Sequence, residues 1–456
     1  MISAGLFAFS CTCLAALFEV HSFPLPDPHA HVLLANADSD KTADVFVLDG
    51  LLLTAYPSAA NYAPVVIPLA DGTSAFDIAD LDGDGKNEVM AVCHDRILRY
   101  SIPTNGTAPP GEELFSLKNY LGPSTSPYPQ VLVVKHEGRS VLALPSDDTV
   151  ELREADGALA SKYEASERTF VGAADKTRLG PLSFSSREDD LELDVWMMSE
   201  IEPKSPSPGS PFPPLPSVLT GRKPERRPFP GGRQGRVGEW FPLKKDGTTL
   251  LRAVCEERRR GLRTIVRIRE AKSDEDDFLD KNITLGPERT YAGALISYGE
   301  YYPDFNGDGY VDLTLWKAPS PGMSVDSLTR AITGGVWPID MVFHLFSPEK
   351  KRFEPTPWSH IALTAPVSWF LEGGPVRNEV FGDFNGDKRT DFALGKDNRT
   401  YAAWLSTKKG FPQSPDFEYS LPEDIRDVFC ADLDGAGSTS IGLRTAKNLY
   451  LLRARP

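Results

Sequence analysis

The segment "DFNGDGYVDLTLW", residues 304–316, places four side chains with acceptor oxygens in nine positions and follows them with alternating apolar residues. The same order recurs along the chain. "DLDGDGKNEVMAV" begins at Asp80, "DFNGDKRTDFALG" at Asp383 and "NADSDKTADVFVL" at Asn36, while "DLDGAGSTSIGLR" at Asp432 has lost two of its acids. An apolar run precedes each loop ("AFDIAD", "YYPDF", "NEVFGDF", "HVLLANA", "DVFCADL"), and another follows it. Period-two alternation on both sides of a turn reads as strand, loop, strand. Internal repetition of this kind decides the architecture, because one repeat cannot bury its own faces and must stack on its neighbours.

Weaker copies fill the gaps. "VLVVKHEGRSVLALP" (131–145), "LSFSSREDDLELDVWMM" (182–198) and "WFPLKKDGTTLLRAVC" (240–255) keep the strands but not the acid pattern. Eight units result, starting near 31, 76, 131, 182, 240, 299, 378 and 427. Each spans about 54 residues, room for four short strands and their turns. Apart from a short candidate helix, "VDSLTRAI" at 325–332, amphipathic helical patterns are absent. The pattern predicts an all-β chain, a β-propeller of seven or eight four-stranded blades, eight by repeat count. The last unit ends one strand short, after "NLYLLRARP", so an N-terminal strand is expected to complete it.

Numbered from its first acid, the loop at 304 carries acceptors at positions 1, 3, 5 and 9: Asp304, Asn306, Asp308 and Asp312, with the Tyr310 carbonyl at position 7. The loop at 80 offers Asp80, Asp82, Asp84, the Lys86 carbonyl and Glu88. The loop at 383 offers Asp383, Asn385, Asp387, the Arg389 carbonyl and Asp391, and that at 36 offers Asn36, Asp38, Asp40, the Thr42 carbonyl and Asp44. Oxygen-only donor sets of this size suit a hard cation with six to eight ligands, and Ca²⁺ better than Mg²⁺, which demands octahedral geometry and retains water. Two to four structural Ca²⁺ ions are expected. The loops at 383 and 36 have Lys388 and Lys41 where the others have glycine at position 6, which predicts weaker binding. The loop at 432, with Ala436 and Ser440 in place of acids, is expected to bind none. An EF-hand would need a bidentate Glu at position 12, where these loops have Ala91, Leu315, Leu394 and Val47.

Strand, D-x-[DN]-x-D-G-x-x-[DE], strand resembles the FG-GAP/VCBS repeat, the blade unit of the integrin α-subunit propeller and of many exported bacterial proteins. "FGDFNGDKRTDFALG" retains the Phe381-Gly382 pair. The resemblance covers four segments well, the one at 432 in part, and the middle third faintly. It implies structural calcium in the loop joining two strands of a blade, ligand recognition on the face away from the metal, and a secreted, periplasmic or cell-surface module for adhesion to extracellular polysaccharide or protein. Some propellers with such loops cleave polysaccharides, so a lyase or hydrolase on the same scaffold is the alternative.

Composition enters at three points. The net charge of −15 is largely metal cage, since the four good loops hold 13 carboxylates. An acidic chain without a nucleic-acid-binding motif gives no support to a nucleic-acid partner. "MISAGLFAFSCTCLAALFEVHS" reads as a signal peptide cleaved after Ser22, leaving 23–456 as a single propeller. Nothing after it approaches the ~18 apolar residues of a membrane span. Residues 202–231 form a proline-rich insertion, with a basic cluster around it (Arg222, Lys223, Arg226, Arg227, Arg233, Arg236). A second basic cluster on "EERRRGLRTIVRIR" reads as a hairpin with arginines on its wet face. Trp316 is assigned to the core, and Trp337 and Trp358 to core packing ahead of sugar stacking. No nucleophile elbow, H-E-x-x-H or phosphate-binding glycine loop occurs.

Overall fold

The computed structural model describes residues 17–28, 30–37, 40, 42–116, 127–129, 132–136, 138–145, 149–164, 237–244, 249–258, 261–270, 289–295, 302–317, 336–366 and 380–455. Every regular element among them is a β-strand, and none is a helix long and apolar enough to cross a membrane. The unit near 182, the proline-rich insertion, the basic cluster at 222–236, the candidate helix at 325–332, Asp38 and residues 1–16 lie outside the described residues.

The chain divides into two compact units. One, built mainly from residues 24–214, holds three antiparallel sheets. The first runs His31–Ala35, Asp44–Asp49, Leu52–Tyr56, Val65–Pro68, the second Thr73–Ala79, Glu88–Cys93, Arg96–Tyr100, Glu112–Ser116, and the third Val133–His136, Arg139–Pro145, Thr149–Arg153, Leu159–Glu164. Gly106–Thr107 and Tyr128–Pro129 add a short parallel strand to the first and second sheets. The other unit holds four four-stranded sheets, which begin at Val237, Ala294, Val380 and Asp427, and the two-stranded sheet Phe346–Ser347, Arg352–Phe353. Seven of the eight repeat starts thus coincide with a sheet among the described residues.

Consecutive strands pair as hairpins, and the hydrophobic pattern explains which are inside. Second strands such as "EVMAVC" and "TSIGLR" are apolar or small on both faces and buried along their length. Fourth strands such as "EELFS" and "FEYS" mix polar with apolar residues and stand partly in solvent. The core is shared between neighbouring sheets. Leu33, Phe46 and Val65 of the first sheet pack with Phe76, Val89 and Leu98 of the second. In the other unit Phe305, Phe343 and Met341 join Phe381, Phe392 and Trp404 of the next sheet. Trp358 lies nearly parallel to Phe305, 6.0 Å away, and Trp316 packs against the same cluster, so both serve the core. "EERRRGLRTIVRIR" forms the expected hairpin, with Thr249–Arg258 paired to Gly261–Glu270.

The C-terminal sheet is completed from the other end of the chain. Asp427–Asp432, Thr439–Arg444 and Asn448–Ala454 supply three strands, and Phe18–Pro24 lies beside the last as the fourth. Phe18 is buried, its ring edge-on to Phe417 at 4.9 Å. The strand crosses the expected cleavage position, and processing after Ser22 would remove Phe18–Ser22 from it.

Candidate metal centres

Each acidic loop connects the first and second strands of its sheet, and the local sequence dictates its path. In the loop at 304 the Asp304 carboxylate accepts N–H bonds from Gly307 (2.7 Å), Asp308 (3.0 Å) and Gly309 (2.9 Å). Asn306 Oδ1 accepts from Asp308 N–H (3.1 Å), and Asp308 Oδ1 from Tyr310 N–H (2.9 Å). The chain therefore winds around its first acid through successive short side-chain turns. Gly307 and Gly309, at φ of 74° and 86°, make the two left-handed steps this winding requires.

The loop at 80 repeats the pattern. Asp80 accepts from Gly83 (2.6 Å) and Gly85 (3.0 Å), Asp82 from Asp84 (3.1 Å), and Asp84 from Lys86 (2.8 Å). The loop at 383 does so too, with Asp383 accepting from Asp387 (3.1 Å) and Lys388 (2.6 Å), Asn385 from Asp387 (3.1 Å), and Asp387 from Arg389 (3.0 Å). Lys388 sits at φ 68°, so the left-handed step survives without its glycine. In the loop at 36, Asp40 accepts from Thr42 N–H (2.6 Å) and from the Ser58 hydroxyl (3.0 Å). In the loop at 432, Asp432 still accepts from Gly437 N–H (2.9 Å).

Position 9 behaves differently from the other acids. Asp312 is fully buried and takes a backbone N–H on each oxygen: Phe305 at 2.7 Å and Phe346 at 2.8 Å. Asp391 does the same with Phe384 and Ser406, both at 2.8 Å, and Asp44 with Ala37 (2.7 Å) and Ser58 (2.6 Å). One donor is always position 2 of the loop, and the other follows the third strand. This carboxylate staples the loop to the sheet. Burial pushes Asp312 well above the ordinary carboxylate range and Asp391 up to about 8, against the pull of those N–H groups. Where the acid is absent, Ser440 accepts Ala454 N–H at 3.0 Å and keeps the third-strand half of the staple.

A second recurring contact links successive units. Asp304 N–H donates to Thr390 Oγ1 (2.8 Å), and Thr390 N–H returns a bond to the Asp304 carbonyl (2.8 Å). Thr439 makes the same pair with Asp383, at 3.1 and 2.6 Å. Asn87 Nδ2 donates to the Asn36 carbonyl, and Ser140 Oγ to that of Asp80 at 2.9 Å.

The donor chemistry fits a hard cation. Oxygens of Asp80, Asp82 and Glu88 lie within 4.8 Å of one another. Ligand oxygens 2.3–2.6 Å from a Ca²⁺ ion can stand at most about 5 Å apart. Asp308 and Asp387, at position 5, are exposed. Sequence reasoning missed three groups here. Arg99 reaches Asp82 (3.2 Å), Glu88 (3.8 Å) and Glu112 (2.7 Å) from the third strand of its sheet. Even so, burial followed by the Asp82 charge pushes Glu88 up to about 7. Arg389 turns its own guanidinium onto Asp387. Thr390 and Thr439 form the clasps. A residue at position 8 with a hydroxyl was the visible signal for the last, and nothing local in sequence foretold Arg99.

No protein-family model and no curated protein matches the chain. Among solved structures it is similar to BBS1N in complex with ARL6DN, at 8% identity and a TM-score of 0.29, over 96% of this chain and 98% of that one. It is also similar to an Agrocybe aegerita lectin that recognises non-reducing terminal N-acetylglucosamine, at 11% identity and a TM-score of 0.28, over 92% of this chain and 86% of that one.

Proposed function

We propose that the chain is an exported, calcium-stabilised β-propeller of the FG-GAP/VCBS type that acts as a binding or adhesion module for extracellular carbohydrate or protein. One observation carries this reading. Loops at 80, 304 and 383, separated in sequence and different at several positions, adopt the same hydrogen-bonded winding and present oxygen ligands at the same places. Bound calcium would neutralise carboxylates that otherwise repel one another across each loop. The ligand sets are Asp80, Asp82, Asp84, Lys86 O and Glu88; Asp304, Asn306, Asp308 and Tyr310 O; and Asp383, Asn385, Asp387 and Arg389 O, with Asp312 and Asp391 at position 9 holding each loop through backbone N–H groups. The loop at 36 is the weaker fourth. Phe18–Pro24 completes the C-terminal sheet as its fourth strand, which gives that repeat the four strands of a blade. The acidic loops occupy the same connection in each sheet, which leaves the other connections for ligand.

Calorimetric melting in calcium and in chelator tests the metal. Binding to the native state alone raises stability by about 2.7 kcal/mol at a hundredfold excess over Kd, so the expected result is a clear upward shift of Tm. An unchanged Tm in chelator would overturn it. Incubation with neutral and acidic polysaccharides, reading retention and chain length together, tests the role. Retention of intact polymer is expected, and shortened chains would replace the binding module with a lyase or hydrolase.

A further inference from the structure

A cavity of about 500 Å³ opens between the outer strand Arg289–Ala292 and the sheet that follows it. That volume is in the range of small-molecule sites. Its lining is one-sided in charge. Arg289, Lys317 and Arg352 border it together with His344, and no Asp or Glu does. None of the three cations forms a salt bridge among the described residues, although Glu354 acts on Arg352 electrostatically, and Arg352 Nε is buried without a hydrogen-bond partner.

The rest of the wall is ordered. Tyr291 is buried and donates its hydroxyl to the Phe353 carbonyl at 2.8 Å. Its ring stands edge-on to His344 at 5.1 Å and to Phe353 at 6.1 Å. His344 Nδ1 faces the Glu354 carbonyl at 2.8 Å. A carbonyl only accepts, so Nδ1 carries the proton, and Nε2 of the neutral ring remains an acceptor for a hydroxyl. Burial pushes the His344 pKa down and favours that neutral ring. The cavity thus combines three cations that form no salt bridge among the described residues, one hydroxyl acceptor and an aromatic wall.

We infer that this cavity binds an acidic sugar, a ring bearing a sulfate ester or a uronate carboxylate, with Arg289, Lys317 and Arg352 around the oxyanion and His344 against a hydroxyl. The inference rests on the carbohydrate arm of the function proposed above and gives it a place and a charge. Guanidinium groups suit oxyanions through paired N–H donors, and lysine adds a point charge.

The test is calorimetric titration of the calcium-loaded protein with four probes: a sulfated disaccharide, the same disaccharide desulfated, glucuronic acid and inorganic sulfate. Arg289→Gln and Lys317→Gln change exposed side chains and are expected to leave Tm unchanged, which keeps the test independent of folding. Arg352→Gln and Arg352→Lys complete the set. The expected result is binding of one or both acidic sugars, weakened by about tenfold for each cation removed and by raised salt, with partial recovery in Arg352→Lys. Tighter binding of the sulfated disaccharide than of glucuronic acid assigns a sulfate ester, and the reverse assigns a uronate. Acidic sugars bound equally by wild type and variants would overturn the cavity while leaving a carbohydrate-binding module elsewhere. Sulfate bound without either sugar would overturn the sugar assignment. Absence of binding by all four probes would overturn the inference, and the calcium-dependent Tm would still report separately on the loops.

Discussion

The loops at 304 and 383 have the same backbone and different side chains. Both wind around a buried first aspartate, both carry a buried position-9 aspartate on two backbone N–H groups, and both are clasped through a threonine of the following loop. They part at positions 6 and 7. The first has Gly309 and Tyr310, whose ring lies on Phe346. The second has Lys388 in the left-handed region and Arg389, whose guanidinium is already on Asp387. The winding therefore does not need glycine at position 6, although Gly386 keeps the left-handed step at position 4, and it carries cationic side chains where a metal ligand is expected. Two tasks are separable within nine residues. Positions 2 and 9 build the sheet junction, and positions 1, 3, 5 and 7 are left for a cation.

The sharpest way to break this division is at position 9. Asp312→Ala orphans two buried N–H donors, which costs about 3 kcal/mol or more, and chemical denaturation in chelator should register it fully. Asp308→Ala, at an exposed position of the same loop, should leave that metal-free stability nearly unchanged and lower calcium affinity instead. Equal losses for the two variants in chelator would dissolve the distinction between staple and ligand.

The pH dependence of the metal-free protein comes next. Asp391 is raised from 3.8 to about 8 and Glu88 from 4.5 to about 7, in both cases first by burial. A native acid with a raised pKa holds a proton that the unfolded chain releases, so stability falls as pH rises between the unfolded and folded values. In chelator the protein should be more stable at pH 5 than at pH 8. Calcium, which favours the ionised carboxylates, should flatten or reverse the slope. A metal-free stability that climbs with pH through this window would show the position-9 acids to be ionised at little cost.

The smallest effect concerns the residue that distinguishes the two loops. Lys388→Gly removes a side chain from the left-handed region and should gain about 1 kcal/mol. Combined with Arg389→Tyr, it should bring the calcium affinity of the loop at 383 close to that of the loop at 304, read by titration of variants with Asp308→Ala in place. No change in affinity would mean that Arg389 vacates Asp387 without penalty.

Much of the fold was legible because it is periodic. Alternation on both sides of the acidic turns located the sheets, and the missing last strand pointed to the N-terminus, where Phe18–Pro24 supplies it. The winding of the loops was legible for the same reason, since the bonds from Gly307, Asp308 and Gly309 to Asp304 are local in sequence. The staple was not, because Phe346 lies 34 residues from Asp312. Nor were the clasps, in which Asp304 meets Thr390 across 86 residues.

The sequence by itself determined strands, turns and a hard-oxygen donor set, since backbone propensity, alternation and carboxylate spacing act over a few residues. Only the tertiary structure decided that position 9 serves the backbone, that Arg99 reaches the carboxylates of the loop at 80, and that Arg289, Lys317 and Arg352 share one cavity. Burial and charge depend on neighbours that the chain brings together from far apart, and the sheets must be packed before those neighbours exist.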